Sequence, residues 1–251
     1  MDERRTVAQT VRDLPVSLES VREWVAEAGR MALERREAVH ALLKADGTPV
    51  TPVDKAVEAY LVERITQCCP DHTIIAEEER AHRGSSSYAW VIDPLDGTRA
   101  YAGGLPMWGI SVGLLWGSEP VAGVFSMPAL GEMYWADAQG AWRNGQALGQ
   151  ARSVTLADPL AYLLVPSNVH LAYEISFPRV RSLGSTAAHL LYVACTTAIG
   201  ALTRRVYLWD VAGVLPILNH CGVTVAHLSG APLNLAALLD APRLPEPLLV
   251  A

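Results

Sequence analysis

The chain has 251 residues, of which 51% are hydrophobic and only 18% charged, against about 25% charged in an average globular protein. Such a composition excludes disorder, collagen-like structure and low-complexity scaffolding, and predicts a substantial buried core. The formal net charge is −6, from 26 acidic and 20 basic residues; no stripe of Lys and Arg marks a nucleic-acid partner, whereas a metal ion or a solvated acidic surface accounts for surplus carboxylates.

Met1-Asp2-Glu3-Arg4-Arg5 leads into no apolar run of the secretory kind. The longest apolar stretch, 190–202, is broken by Thr196 and Thr197 and falls short of the ~20 residues of a membrane span. Cysteines at 68, 69, 195 and 221 form no CxxC pair and read as reduced thiols. A soluble cytoplasmic protein with no membrane partner is expected.

Leu18, Val21, Val25, Ala28 and Ala32 recur at helical spacing, so 17–43 reads as one long amphipathic helix. Lys44-Ala45-Asp46-Gly47-Thr48-Pro49 is turn-forming. A second helix starts at Pro52, a residue suited to a first turn, and runs to Cys68, with Pro70 ending it. Val53, Val57, Leu61, Ile65 and Cys68 supply its expected buried face, while Asp54, Lys55, Glu58 and Glu63 point elsewhere. The short apolar runs 73–76 and 89–92 read as strands joined by an exposed polar loop at 80–87. From 109 to 148, strands separated by Gly and Pro turns read as an antiparallel meander. Beyond 150, strand and helix alternate: a strand at 162–165, a helix after Gly184, a helix after Trp209 and a strand at 223–225. The expected division is an N-terminal α+β sub-domain, 1–150, and a C-terminal α/β sub-domain, 151–251, closing a cleft.

The chemistry concentrates in Trp90-Val91-Ile92-Asp93-Pro94-Leu95-Asp96-Gly97-Thr98. An apolar strand delivers one carboxylate, Pro94 forces a turn, and a second carboxylate follows three residues on. Carboxylates converging at a strand end repel each other, and a divalent cation offsets that repulsion. Gly97 and Thr98 could open a helix whose free N–H groups face an anion. The same stretch also reads as a surface turn, Glu77-Glu78-Glu79 as a solvated charge run, and Asp210 in Trp209-Asp210-Val211-Ala212-Gly213 as a helix cap. None of the seven histidines sits near these acids at zinc-ligand spacing. Asp54, on the polar side of its helix, is expected to reach a water without disturbing the core.

In order and spacing these segments resemble the inositol monophosphatase family of metal-dependent phosphatases. The resemblance begins at Lys44, with Val50, Thr51 and Asp54 as a Val-Thr-x-x-Asp helix start. It continues through Ile75-Ala76-Glu77-Glu78, Asp93-Pro94-Leu95-Asp96-Gly97-Thr98 and the Asn144-Gly145 turn. Gly184-Ser185-Thr186-Ala187 and Trp209-Asp210-Val211-Ala212-Gly213 complete it. It implies a mixed α/β (α+β) fold, the layered α/β/α/β/α sandwich of the inositol monophosphatase and fructose-1,6-bisphosphatase type. It implies a homodimer that hydrolyses a small-molecule phosphate monoester with two or three Mg²⁺ ions. Glu77, Asp93 and the carbonyl of Leu95 would hold one ion; Asp93, Asp96 and Asp210 a second, with Asp93 bridging; Glu77 a third through water. Asp54 and Thr98 would position and deprotonate the attacking water, with Glu77 completing the catalytic set. Gly97, Thr98, Asp96, Ser185 and Thr186 would meet the substrate, the first two through backbone N–H groups on its phosphate.

Departures from the family pattern fall on the substrate wall. An acid that binds sugar hydroxyls in inositol phosphatases has no counterpart in Leu202-Thr203-Arg204-Arg205. Arg204 and Arg205 could grip a second phosphate or a carboxylate, because the guanidinium fork matches such anions; they also read as solvated surface arginines. Fructose-1,6-bisphosphatase, histidinol phosphatase and 3′-phosphonucleotide phosphatase activities are alternatives on the same site. A regulatory or binding protein that keeps the fold is the alternative of another class. Glu79, where the family usually has Ser, is expected to point outward, and His189 and His220 are expected to be satisfied core histidines.

Overall fold

The computed structural model describes residues 14–36, 41–45, 47–78 and 82–251. Met1–Arg5, residues 37–40, Asp46, Glu79 and the start of the 80–87 loop lie outside these. The chain opens with α1 (Leu18–Arg35), β1 (Leu42–Leu43), β2 (Pro49–Val50), α2 (Pro52–Cys68), β3 (Thr73–Ala76), β4 (Tyr88–Asp96) and α3 (Thr98–Ala102). The meander follows as β5 (Gly109–Trp116), β6 (Glu119–Met127), β7 (Glu132–Asp137), β8 (Gly140–Arg143) and β9 (Gln146–Ala147). The remainder comprises β10 (Tyr162–Leu164), β11 (Val180–Arg181), α4 (Thr186–Cys195), β12 (Ala198–Leu202), α5 (Leu208–Ala212), α6 (Leu215–His220), β13 (Val225–His227), α7 (Leu235–Leu238) and β14 (Leu248–Val250).

β3 to β9 form a seven-stranded sheet in sequence order, parallel at β3–β4 and antiparallel thereafter. Alternate residues of its strands feed two cores, as the period of two demands. Trp90 and Ile92 of β4 with Val112 and Leu114 of β5 face Val21, Val25, Val57 and Leu61 of α1 and α2. Val91, Leu115, Phe125 and Met127 face Leu190, Val211, Ile217 and Leu218 of α4, α5 and α6. Beyond that helical layer lies a five-stranded sheet of order β11-β10-β12-β14-β13, with parallel and antiparallel pairs. The layers run helix pair, sheet, helices, sheet, and the mixed α/β expectation holds. No helix among the described residues is long and apolar enough to cross a membrane.

Several local expectations change. The helix read over 17–43 stops at Arg35; Leu42 and Leu43 instead pair antiparallel with Val50 and Pro49. The Lys44 and Gly47 N–H groups close the intervening turn, donating to the Thr48 and Lys44 carbonyls, with Gly47 at φ 78°. Leu42 and Leu43 are largely exposed, so continuing the helix would have buried nothing there. Val223-Thr224 precede the strand, which begins at Val225. On α2, Cys68 is exposed while Cys69 is buried, and Asp54 and Glu58 are buried with the apolar face. One helical turn apart, these two acids point into the molecule and not away from it. His189 is buried, with Nε2 accepting the Leu183 N–H at 2.8 Å; His220 is exposed, because it ends α6.

Candidate active site

Three segments distant in sequence bring carboxylates to one place. Asp93 lies on β4 beyond Val91, on the face that meets α5; at the C-terminal ends of the parallel pair β3–β4, Glu77 follows Ala76 as Asp93 follows Ile92. Asp96 lies three residues on, which in a regular strand would turn it to the opposite face. Instead of the turn expected at Pro94, the strand continues to Asp96 through a bulge: Asp93 pairs with Ser111 and Asp96 with Gly109. The extra residue corrects the phase, and Pro94, which has no N–H to give a ladder, sits where a ladder bond is dispensable.

Asp210 arrives on the first turn of α5, where its carboxylate accepts the Tyr207 N–H at 2.6 Å. The close approach of α5 is made by glycines. Gly113 and Gly123 are direct partners on β5 and β6. A methyl group on Gly113 would lie 2.6 Å from the Ala212 carbonyl carbon, and one on Gly123 2.2 Å from the Gly213 carbonyl oxygen. With that seat vacant of side chains, carboxylate oxygens of Asp93, Asp96 and Asp210 all fall within 4.8 Å of one another.

The second element is a hydrogen-bonded chain across α2 and α3. Thr51 caps α2, and both its N–H and its hydroxyl donate to Asp54 Oδ2. Thr98 Oγ1 stands 3.0 Å from Asp54 Oδ1 and 3.1 Å from the Leu95 carbonyl, either of which can take its single proton. Gly97, at φ 93°, makes the turn into α3 that L side chains resist, leaving the first-turn N–H groups without intrahelical acceptors. Asp54, expected on the polar side of its helix and clear of the core, is fully buried. Burial raises its pKa, while the bonds from Thr51 and Thr98 hold the carboxylate form.

Asp96 is gripped by the start of α4. The Thr186 N–H donates to Oδ1 at 3.0 Å, the Ala187 N–H to Oδ2 at 2.8 Å, and the Ser185 hydroxyl to Oδ2. Ser185 Oγ also accepts the Ala188 N–H at 3.0 Å. Ser185 is fully buried, with its hydroxyl committed to Asp96. Glu77 is not part of the aspartate trio. Lys44 Nζ holds Glu77 at 3.0 Å and Glu78 at 2.6 Å, and the Glu78 N–H donates to Glu58 at 2.7 Å. Lys44 marked the start of the family resemblance without a role, and Glu58 was passed over; its spacing of one helical turn from Asp54 was the available signal.

The electrostatics are those of a cation site. Burial raises Asp93 well above the ordinary carboxylate range, and the charges of Glu77, Asp96 and Asp210 push it the same way. Asp210 is raised by burial and then by Asp96. Burial also lifts Glu77, which Lys44 opposes, and brings Glu78 to about 7. Lys44 would be lowered by its burial, but its bonds to Glu78 and Glu77 outweigh that and raise it. A divalent ion reverses this repulsion. The trio offers only carboxylate oxygens, which suits Mg²⁺ and not the nitrogen and sulfur preference of zinc.

Among the other expected substrate contacts, Thr186 and Arg204 line a cavity of about 100 Å³ beside the Asp96 grip. Arg205 is exposed and adopts φ 56°. Arg99, just past Thr98, turns away and donates to the Gly47 carbonyl at 3.0 Å.

Comparison with known proteins agrees with this geometry. The inositol monophosphatase family profile matches residues 16–244. A histidinol-phosphatase of Chlorobaculum parvum is 32% identical over 212 residues, 80% of this chain and 81% of that protein. A fructose-1,6-bisphosphatase/inositol-1-monophosphatase of Aquifex aeolicus is 32% identical over 205 residues, 76% of each. The solved structure of an IMPase from Thermotoga maritima superposes with a TM-score of 0.80 at 26% identity, covering 93% of this chain and 91% of that one. With its fold, its acidic metal site and its sequence in agreement, the chain belongs to the inositol monophosphatase family of metal-dependent phosphomonoesterases.

Proposed function

We propose that this phosphomonoesterase is Mg²⁺-dependent and acts on a small phosphorylated polyol or sugar, releasing inorganic phosphate by attack of water. The observation that carries the reading is the convergence of Asp93, Asp96 and Asp210 within 4.8 Å, beside a buried Asp54–Thr98 pair 3.0 Å apart. Asp93, Asp96 and Asp210 would hold one ion, and Asp93, Glu77 and the Leu95 carbonyl a second; Glu77 would hold a third. Bound there, divalent ions offset the charge on phosphate oxygens and make a water acidic near neutral pH. Asp54, held in place by the Thr51 N–H and hydroxyl, accepts the hydrogen bond of the Thr98 hydroxyl, which leaves Thr98 Oγ1 an acceptor for the proton of the attacking water. The N–H groups of Gly97 and Thr98 bind the phosphate, and the α4 N-terminus fixes Asp96 so that its orientation does not change during the reaction.

The test is a phosphate-release screen with and without Mg²⁺. Its substrates are an aryl phosphate, inositol phosphates, fructose 1,6-bisphosphate, histidinol phosphate and 3′-phosphonucleotides. Metal-dependent release from a polyol or sugar ester is expected. No turnover with metal demonstrably bound would favour the binding-protein alternative, and turnover confined to histidinol phosphate or a 3′-phosphonucleotide would move the assignment to that activity.

We further propose a homodimer, supported by an apolar groove of about 590 Å³ rimmed by the exposed Leu156, Leu228 and Leu249. A cytoplasmic location is supported by four unpaired thiols. The division near residue 150 is supported by the two sheets falling on either side of it.

A further inference from the structure

Thr186 faces two ways: its N–H grips Asp96, and the residue also lines the cavity of about 100 Å³ with Ser167, Ser182, His189, Thr203 and Arg204. Among the described residues no carboxylate lines this cavity, in contrast to the acidic centre next to it. His189 adds no charge: burial holds its pKa down at about 4, and its Nε2 is committed to the Leu183 N–H. Arg204 is half-buried, and its Nη1 reaches only the Asn168 carbonyl, at 3.5 Å. Among the described residues no acid pairs with it. Ser167 and Ser182 are exposed at the rim, so the cavity opens to solvent.

We infer that Arg204 and this cavity form a specificity subsite for a second phosphate on the substrate, making a bisphosphate of a small polyol or sugar the preferred substrate class. The inference rests on the phosphomonoesterase reading of the adjacent centre. A guanidinium fork meets a phosphate with two parallel N–H···O bonds, which lysine or a hydroxyl cannot reproduce. A neutral polyol monophosphate would leave the guanidinium facing hydroxyls alone. A substrate carrying an ammonium would meet like charge.

The experiment compares kcat/KM within two pairs, fructose 1,6-bisphosphate against fructose 1-phosphate and inositol 1,4-bisphosphate against inositol 1-phosphate, at saturating Mg²⁺. In at least one pair the wild-type ratio should favour the bisphosphate by about 10–100-fold. Arg204→Ala should bring that ratio close to one through KM, with little change in kcat for the bisphosphate, and Arg204→Lys should keep only part of it. A wild-type ratio near one in both pairs, or an Arg204→Ala protein that keeps the ratio, overturns the inference; the wild-type arm decides even if the variant fails to fold. An aryl phosphate run alongside separates the two readings. If it is hydrolysed while both ratios stay near one, the subsite alone is refuted. If no ester is hydrolysed, the phosphomonoesterase reading falls with it.

Discussion

The seat under α5 gives a sharp test, because Asp210 depends on a contact made only by backbone. Gly123→Ala places a methyl group 2.2 Å from the Gly213 carbonyl oxygen, where real contacts stay at 3.0 Å or beyond. The obstacle is main chain and cannot rotate away, so α5 and the sheet must separate locally by at least 0.8 Å. Overpacking of this kind costs about 1–3 kcal/mol, a fall in Tm of about 2–12 °C for a chain of this size. The displacement carries Asp210, three residues before Gly213, out of its place in the trio. Errors of about 1 Å in positioning reduce rates by roughly 100-fold. The assay is phosphate release as a function of Mg²⁺ concentration, paired with thermal unfolding. Gly149→Ala is the control, since a methyl group there meets nothing within 4 Å. A Gly123→Ala enzyme with the wild-type Mg²⁺ response and Tm would refute the claim that this glycine sets the metal geometry.

Asp93→Asn should abolish turnover and tight Mg²⁺ binding, yet raise the Tm of the metal-free protein, because it removes a buried charge repelled by Glu77, Asp96 and Asp210; an active Asn variant would sink the assignment. Thr98→Ala should keep Mg²⁺ binding and lose about 100- to 10,000-fold in kcat, since it deletes the hydroxyl between Asp54 and Leu95; loss of metal binding in calorimetry would contradict that role. His189 is held below its ordinary 6.5, at about 4, by burial, so the unfolded chain binds more protons there and stability rises with pH. Its contribution of about 3 kcal/mol is complete above pH 6.5 and is lost as pH falls toward 4. Urea unfolding should show a shallower pH dependence between 7 and 4.5 for His189→Gln than for wild type, and identical slopes would disprove it.

Much of the architecture was legible in local patterns. The α2 boundaries, Pro52 and Cys68, follow from a proline at a first turn, a helical apolar stripe and a proline beyond the end. The hairpin between β8 and β9 follows from Asn144-Gly145, which adopt φ 48° and 82°, the signs a tight two-residue turn requires. The long first helix was misread because Leu42 and Leu43 continue an apolar pattern that has no core to enter. Asp54 and Glu58 were placed apart from the buried face for a related reason. Periodicity says which residues share a side of a helix, but the side that meets protein is chosen by the packing partner.

The same limit separates the two kinds of information in the site. Local pattern put carboxylates at strand and helix ends in the order Glu77, Asp93, Asp96 and Asp210, and the family resemblance set Asp54 and Thr98 beside them. Only the tertiary structure decided that Asp93 and Asp96 share a face, because a bulge supplies the phase that a spacing of three lacks. Only it set Asp210 beside them, because Gly113 and Gly123 let a helix backbone rest on the sheet. It also distinguished Arg204 from Arg205, adjacent residues of one type, by giving just the first a place in the cavity beside Thr186. Residue type and local spacing act over a few bonds, whereas convergence depends on which surfaces exclude water together, and that is a property of the folded chain.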